Sequence, residues 1–169
     1  MELSRVNALP LERFVAEFGA VFEHSPWVAE RAWPKRPFAS VEGLFQVLNS
    51  IVLESESETQ LALIRAHPEL AGREAREVGL TESSSGEQAR LGFLSLSSEE
   101  VQRMAELNRR YRDKFGFPCI VALRLHATRA TVLAEMERRI GNDAATEHAA
   151  ALEQIAHIAR GRLEKLVAC

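Results

Sequence analysis

Residues 97–116, SSEEVQRMAELNRRYRDKFG, carry the strongest signal for the type of fold. Ser97 followed three residues later by Glu100 is typical of a capping box, which satisfies the first backbone N–H groups of a helix. Apolar side chains then recur at intervals of three and four, which places them on one helical face; they are Val101, Met104, Leu107, Tyr111 and Phe115. Gly116 is suited to ending the helix. The stretch therefore predicts a long amphipathic helix.

The same periodicity extends over most of the chain. The apolar stripes of the other predicted helices are Leu11, Phe14, Val15, Phe18 and Phe22; Leu44, Phe45, Leu48, Ile51 and Val52; Leu61 and Ile64; Val132, Leu133, Met136 and Ile140; and Leu152, Ile155, Ala156, Ala159, Leu163 and Leu166. Ser25, Ser40 and Asp143 are predicted N-cap residues. Because Pro68 disfavours helical geometry in the preceding residue, one helix should end near His67.

Two segments depart from this pattern. Residues 72–86 are polar, contain Gly79 and Gly86, and predict a loop or a short frayed helix. Residues 117–125 are apolar and could be a buried strand or part of a buried helix. Since no second strand candidate exists to pair with them, we expect a buried turn or a helix start. The sequence predicts one all-α domain over residues 1–169, a single-domain helical bundle of about seven to nine helices.

Composition limits the class of protein. The chain has 169 residues, of which 46% are hydrophobic and 27% charged, with a formal net charge of −3. No basic excess indicates a nucleic-acid partner, no apolar run is long enough to span a membrane, and the N-terminus lacks a signal-peptide pattern. Cys119 and Cys169 have the spacing of neither a disulfide framework nor a metal site. We expect a cytoplasmic protein with reduced thiols.

The residues with catalytic potential surround one loop. His67 stands beside Pro68, and Glu87 and Gln88 follow one loop later, where the chain could fold back onto the imidazole. An imidazole near a carboxylate can transfer protons. The same residues also have structural interpretations, because a histidine can close a helix and acidic residues suit a helix N-terminus. Arg162 is typical of a solvated helix arginine, unless its guanidinium faces a pocket and binds a carboxylate or a urea-like oxygen.

Motifs for metals, nucleotides and hydrolytic nucleophiles are absent from the sequence. It has no His-Glu-x-x-His, Cys-x-x-Cys or calcium-loop pattern. His148 and His157 on the last helix are too far apart in sequence to share a zinc ion from one helical face. It also lacks glycine-rich nucleotide loops and a Gly-x-Ser-x-Gly elbow. We therefore expect no metal and no organic cofactor, and chemistry by His, Glu, Gln, Arg and backbone groups.

Short motifs in order along residues 14–166 resemble the OHCU (2-oxo-4-hydroxy-4-carboxy-5-ureidoimidazoline) decarboxylase family of uric acid degradation. They are EHSPWVAE at 23–30, RPF at 36–38, LIRAHPELAG at 63–72, SSGEQ at 84–88, Leu107-Asn108 with Tyr111, KFGFP at 114–118, and IARGRL at 158–163. The resemblance implies an all-α fold, commonly homodimeric, that needs no metal or organic cofactor. It implies conversion of OHCU to (S)-allantoin with loss of carbon dioxide.

The resemblance also implies roles for particular residues. It implies His67 and Glu87 as the catalytic pair. The implied substrate contacts are Pro68, Ser84, Ser85, Gly86, Gln88, the backbone of Cys119, Ile120, Val121, Ala122 and Leu123, and Arg162. The chain departs from the family pattern at Cys119, where a phenylalanine is usual, and at Leu91-Gly92-Phe93, where Ala-Gly-Leu is frequent. Around the last motif, Arg162 is the better match, and Arg160 remains an alternative.

These residues suggest a mechanism without a cofactor. The carboxylate-bearing carbon of OHCU adjoins a ring C=N, so the substrate itself can accept the electron pair that is left when carbon dioxide departs. We expect His67 to deliver one proton to one face. Glu87 would either polarise that imidazole or crowd the substrate carboxylate. Gln88 and the backbone near Ile120 would bind the ureido and imidazolone edges of the substrate. Arg162 would bind a carbonyl or carboxylate oxygen of the substrate.

Two other classes of function compete with this hypothesis. The first is a non-catalytic all-α module that binds a ureide or a purine derivative as a sensor. The intact set of His67, Glu87 and Gln88 favours an enzyme, since a sensor need not keep a proton donor. The second is a structural interaction protein using Trp27 and Trp33, although these side chains equally suit packing of the first helices or a dimer contact.

Overall fold

A computed structural model describes residues 1–71 and 81–167. Over those residues the regular structure consists of nine α-helices and two 3₁₀ helices, which confirms the all-α class. The α-helices are α1 (Leu3–Ala8), α2 (Leu11–Phe18), α3 (Trp27–Ala32), α4 (Val41–Leu53), α5 (Ser57–Arg65), α6 (Glu82–Arg90), α7 (Ser98–Phe115), α8 (Arg129–Ile140) and α9 (Ala144–Leu166), and the 3₁₀ helices are Trp33–Lys35 and Leu123–Leu125.

The chain divides into two compact units. The first consists of Met1–Ala66 with Ala156–Cys169, and the second of His67–Ile155. The single domain expected over residues 1–169 stays a prediction. No helix in the described part of the chain is long and apolar enough to cross a membrane.

The first unit has an aromatic core contributed by short helices. The rings of Phe14 and Phe18 on α2 lie 4.8 Å apart, and Phe14 also stacks on Phe38 at 6.1 Å. Trp33 is half-buried, donates its indole N–H to the Leu9 carbonyl at 2.9 Å, and lies beneath the Arg36 guanidinium. Trp33 therefore packs against its own unit, in keeping with the packing interpretation of this residue.

Two capping predictions in this unit have different outcomes. The Ser40 hydroxyl accepts from the Gly43 N–H at 2.9 Å and caps α4, as predicted. The prediction of Ser25 as an N-cap is wrong. Helix α3 has no side-chain cap, and the Ser25 hydroxyl donates instead to the carbonyl of Glu23 at 2.9 Å. The chain turns sharply at His24, whose φ is +47°, and this turn redirects the Ser25 side chain.

The second unit is organised around α7. Both bonds of the predicted capping box are present: Ser97 N–H donates to Glu100 at 2.7 Å, and Glu100 N–H donates to the Ser97 hydroxyl at 3.2 Å. The helix ends at Gly116 in the left-handed conformation, with φ of +76°, which glycine adopts without strain. The predicted cap of α9 is also confirmed, because Asp143 accepts from the Thr146 N–H at 2.8 Å.

The predictions for the two irregular segments, residues 117–125 and 72–86, have different outcomes. Residues 117–122 are non-helical and buried, and lead into a 3₁₀ turn, which confirms the expected buried turn. For residues 72–86 the sequence left a loop or a short helix open, and residues 82–86 belong to α6, in keeping with the helix alternative; residues 72–80 and Cys169 lie outside the described residues. Thr81 caps α6, and this cap together with inward-facing polar side chains outweighs the low helix propensity of serine and glycine.

Candidate active site

His67 is buried at the second position after α5. The helix ends at Arg65 with Ala66 as its C-cap, and Pro68 prevents its continuation. Only 5% of His67 is exposed. A histidine that merely closed a surface helix would keep its ring in water, so the burial of His67 argues against simple capping.

The loop that follows His67 is fastened from two sides. The Gln88 side-chain carbonyl accepts from the Ala71 N–H at 2.9 Å, and the Asn108 side-chain amide donates to the Leu70 carbonyl at 2.9 Å. Ala71 has a φ of +48°, a conformation that a non-glycine residue keeps only when its surroundings hold it. The structure thus joins the His67 loop to α6 and to α7.

Helix α6 carries the predicted contacts on different faces. Ser84 and Gln88, one helical turn apart, are both buried, whereas Ser85 and Glu87 are half-buried and Gly86 is exposed. The Gln88 carbonyl is already used by Ala71, which leaves its amide NH₂ as the group that could face a ligand. A Cβ placed on Gly86 would meet no atom within 4 Å, so protein packing does not require a glycine there.

The segment Cys119–Leu123 is buried throughout, and protein side chains hold part of its backbone. Arg139 donates to the Ile120 carbonyl, Arg90 donates to the Leu123 carbonyl, and the Ala122 N–H donates to Gln154 at 2.9 Å. Because Arg139 occupies the Ile120 carbonyl, a substrate contact at this residue would fall to its N–H.

Cys119 is a buried free thiol within this segment. Burial raises its pKa to about 12, so the side chain remains protonated at neutral pH. Cys119 therefore acts as a small apolar wall rather than as a nucleophile.

A buried charged cluster supports the segment from behind. Glu147 lies 2.7 Å from the Arg139 guanidinium and accepts from the Tyr111 hydroxyl at 2.5 Å and from Asn142 at 2.9 Å. Burial and the hydrogen bond to Glu147 raise the pKa of Tyr111. Burial alone would raise the pKa of Glu147, but hydrogen bonds from Arg139, Tyr111 and Asn142 lower it below its usual value. The carboxylate is therefore held in its charged form.

Arg162 belongs to the first unit and is 5% exposed. Its Nη1 lies 2.6 Å from a carboxylate oxygen of Glu23, which is 1% exposed, and 3.4 Å from the Ala20 carbonyl. Its interpretation as a solvated helix arginine is therefore wrong. Arg160 instead pairs with Glu42 at the surface and lies 4.0 Å above the Phe45 ring.

The model of the OHCU decarboxylase family matches residues 7–164. The chain belongs to the OHCU decarboxylase family. Its sequence is 40% identical over 163 residues to the 2-oxo-4-hydroxy-4-carboxy-5-ureidoimidazoline decarboxylase of Haloferax volcanii, covering 96% of this chain and 94% of the relative. The Amia calva decarboxylase is 34% identical, covering 100% and 96%.

A solved structure agrees with this assignment. The crystal structure of an (S)-allantoin synthase superposes with a TM-score of 0.76 at 29% identity, covering 99% of this chain and 54% of that chain.

Sequence reasoning missed several side chains of this family member. It left Asn108 and Glu23 without a role, although both stand in quoted motifs, and it did not consider the pair of Arg139 and Glu147. A signal for Arg139 was present: it follows Val132 and Met136 at helical spacing, so an arginine occupied a core position of α8. A charged residue at such a position predicts a buried partner. The roles of His67 and Glu87 and the substrate contacts stay predictions.

Proposed function

We propose that the chain is a cofactor-independent decarboxylase that converts OHCU to (S)-allantoin and carbon dioxide in uric acid degradation. The observation that carries the proposal is a buried His67 whose loop is fastened by Gln88. Membership of the OHCU decarboxylase family indicates the reaction in which this imidazole would take part. The proton donor is held on a fixed backbone, which suits delivery to one face of a planar intermediate.

His67 is the proposed proton donor. The bond between the ring carbon and its carboxylate breaks and carbon dioxide leaves. The electron pair forms a C=C bond to the carbon that bears the ureido group, and the pair of the former C=N bond moves to nitrogen, which takes a proton. A proton from His67 then adds to the ureido-bearing carbon and fixes its configuration, while the hydroxyl on the neighbouring carbon loses its proton and becomes the ring carbonyl. One-sided delivery explains a single enantiomer.

Glu87 is the second proposed catalytic residue. Its half-buried position on α6 lies one residue before Gln88, which binds the His67 loop. From there its carboxylate can orient the imidazole or disfavour the ionised carboxylate of the substrate. Carbon dioxide leaves as a neutral molecule and the electron pair stays on the ring, so an environment that disfavours the ionised carboxylate promotes the bond cleavage.

The remaining side chains are proposed to bind the substrate. The substrate would lie against Pro68, Ser84, Ser85 and Gly86. The Gln88 amide would donate a hydrogen bond to the substrate, and Arg162 would donate one to a substrate oxygen. The buried segment of Cys119, Ile120, Val121, Ala122 and Leu123 would form an apolar wall, with backbone N–H donors other than that of Ala122, which donates to Gln154. We also propose that the protein is a cytoplasmic homodimer, as the resemblance implies; light scattering tests the dimer.

Circular dichroism of freshly generated OHCU tests the reaction. Addition of the protein should speed the appearance of one allantoin enantiomer well beyond spontaneous decay. Because a general acid contributes typically ~10²–10⁴-fold, His67→Asn should lower kcat by at least that order. The variant His148→Asn, at a half-buried position of α9, serves as the control. Racemic product at the spontaneous rate would favour a ureide-binding protein instead.

A further inference from the structure

The guanidinium of Arg139 joins a buried carboxylate to the backbone of the segment Cys119–Leu123. Its Nε and Nη2 donate to Glu147 at 3.0 and 2.7 Å, and its Nη1 donates to the carbonyl of Ile120. Arg139 and Glu147 are 1% and 0% exposed, and all of these residues belong to the second unit. Because a guanidinium is a rigid planar fork, anchoring one edge on Glu147 also fixes the direction of the bond to Ile120.

This bond sets the orientation of the peptide group between Ile120 and Val121. Among the described residues the only cis peptide bond is Arg36–Pro37, so the peptide group between Ile120 and Val121 is trans. In a planar trans peptide the carbonyl and the N–H point in opposite directions. Since the Ile120 carbonyl faces Arg139, the Val121 N–H points away from Arg139.

The Val121 N–H is a buried donor that needs an acceptor. Val121 is 3% exposed, and its N–H donates to no acceptor within residues 1–71 and 81–167. The next backbone groups are already used, because the Ala122 N–H donates to Gln154 at 2.9 Å and the Leu123 carbonyl accepts from Arg90. A buried N–H without a partner costs free energy, and a bound ligand that accepts from it offsets this cost.

The segment adjoins the helix that carries other proposed site residues. Arg90 on α6 donates to the carbonyl of Leu123 and, at 3.1 Å, to that of His126. Two residues earlier on the same helix, Gln88 accepts from the Ala71 N–H in the His67 loop. Helix α6 therefore binds both the His67 loop and the segment that contains Val121, within one unit.

We propose that Arg139 is a positioning residue that holds the Val121 N–H towards the electron-accepting edge of the substrate ring. This inference rests on the proposed function. As carbon dioxide leaves, electron density moves towards the nitrogen of the former C=N bond and the carbonyl conjugated with it. A donor fixed at that edge stabilises the charge as it develops. The cation on the Ile120 carbonyl also polarises the peptide group and strengthens the Val121 N–H as a donor.

The amide signal of Val121 tests the position of this donor. In protein labelled with ¹⁵N-valine, the signal is identified by its loss in Val121→Ile. Saturating (S)-allantoin should shift the Val121 amide proton downfield in wild type, because the N–H gains an acceptor. The Val101 amide, which already donates to the Ser97 carbonyl at 2.9 Å, should not move. An unmoved Val121 signal overturns the proposal.

The double variant Arg139→Met/Glu147→Met tests the role of Arg139, because it removes the cation together with its counterion. The allantoin-dependent shift of Val121 should disappear. The kcat for OHCU should fall by about 10–100-fold. KM should change much less than kcat, because the donor acts mainly on the transition state.

Met136→Ala is the matched control for a loss of stability. Met136 is fully buried on α8, three residues before Arg139, so its truncation leaves a cavity without touching the bond to Ile120. This variant should keep both its kcat and the Val121 shift. Equal losses of kcat in Met136→Ala and in the double variant would make the role of Arg139 merely structural and overturn the proposal.

Arg139→Lys replaces the double variant if that protein does not fold. A single ammonium does not reproduce the planar fork that joins Glu147 to Ile120, so the Val121 shift should weaken and kcat should fall. Unchanged values in folded Arg139→Lys overturn the proposal. If wild type fails to turn over OHCU, the proposed function is wrong. If wild type is active and neither variant changes the Val121 shift, only the role of Arg139 is wrong.

Discussion

At the scale of single residues, burial separates side chains of the same type. Arg139 and Arg162 are buried against carboxylates, whereas Arg160 and Arg138 form exposed pairs. An ion pair in water is worth little, but removing one partner of a buried pair leaves a charge without compensation. The buried arginines are therefore those whose substitution should matter.

Glu147→Gln should destabilise the protein by about 3–5 kcal/mol, because Arg139 would keep its charge in a buried site without a counterion. Urea unfolding followed by circular dichroism measures this change. Glu42→Gln is the control, and its midpoint should match that of wild type because the Glu42 pair is exposed. Equal midpoints for Glu147→Gln and wild type would show that the Arg139 charge is compensated elsewhere.

Gly86→Ala should separate stability from substrate binding. A glycine inside a helix is about 0.5–1 kcal/mol less favourable than alanine, and an added Cβ at Gly86 meets no atom within 4 Å. The variant should therefore be more stable. If the substrate lies against Gly86, as proposed, the KM for OHCU should rise.

Ser83→Ala, an exposed position on the same helix, is the control for Gly86→Ala. An unchanged KM in a stabilised Gly86→Ala protein would mean that the substrate does not approach Gly86. Steady-state kinetics and thermal unfolding of the same preparations measure both quantities.

At the scale of elements, the His67 loop depends on two helices. Gln88 on α6 holds the Ala71 N–H, and Asn108 on α7 holds the Leu70 carbonyl. Helix α6 in turn is started by the Thr81 cap, and α7 by its capping box. Local signals at helix ends therefore decide where the loop is held.

Asn108→Ala should lower kcat by on the order of 10–100-fold, because a small displacement of His67 misplaces the proton donor. Loss of the buried hydrogen bond should also cost about 1–3 kcal/mol of stability. Arg112→Ala, which removes the surface ion pair to Glu69 in the same loop, is the control. Normal kcat in a folded Asn108→Ala protein would show that the loop positions His67 without α7.

At the scale of the whole molecule, the buried carboxylate makes stability depend on pH. Hydrogen bonds from Arg139, Tyr111 and Asn142 hold the pKa of Glu147 below its usual 4.5, against the opposing effect of burial. A lowered folded pKa adds stability that is fully present above the unfolded pKa. This stability is lost as pH falls through the lowered folded value.

The urea midpoint of wild type should therefore fall as pH drops below about 4.5. Arg139→Met/Glu147→Met replaces the pair with apolar side chains, which is often tolerated, and its midpoint should fall less steeply. Glu42→Gln, which removes a carboxylate from an exposed pair, should change the wild-type profile less than the double variant does. Identical slopes for wild type and the double variant between pH 5 and about 3 would assign acid sensitivity to other carboxylates.

Much of the helical pattern was predictable because it depends on neighbours in sequence. The capping box at Ser97, the Gly116 terminus and the Ser40 and Asp143 caps were each specified within a few residues. The failure at Ser25 also has a local cause, because the turn at His24 redirected its side chain. The sequence left a loop and a short helix open over residues 72–86, and burial of Ser84 and Gln88 favours the helix α6.

The all-α class, most helix ends and the family could be inferred from the amino-acid sequence, because periodicity, caps and motifs are encoded over short distances. Which polar groups lose contact with water became known from the folded structure. It paired Arg162 with Glu23 and Arg139 with Glu147, and it tied Gln88 to Ala71. The physical reason is that a side chain's charge state and hydrogen-bond partner depend on residues far away in sequence, which only folding brings near.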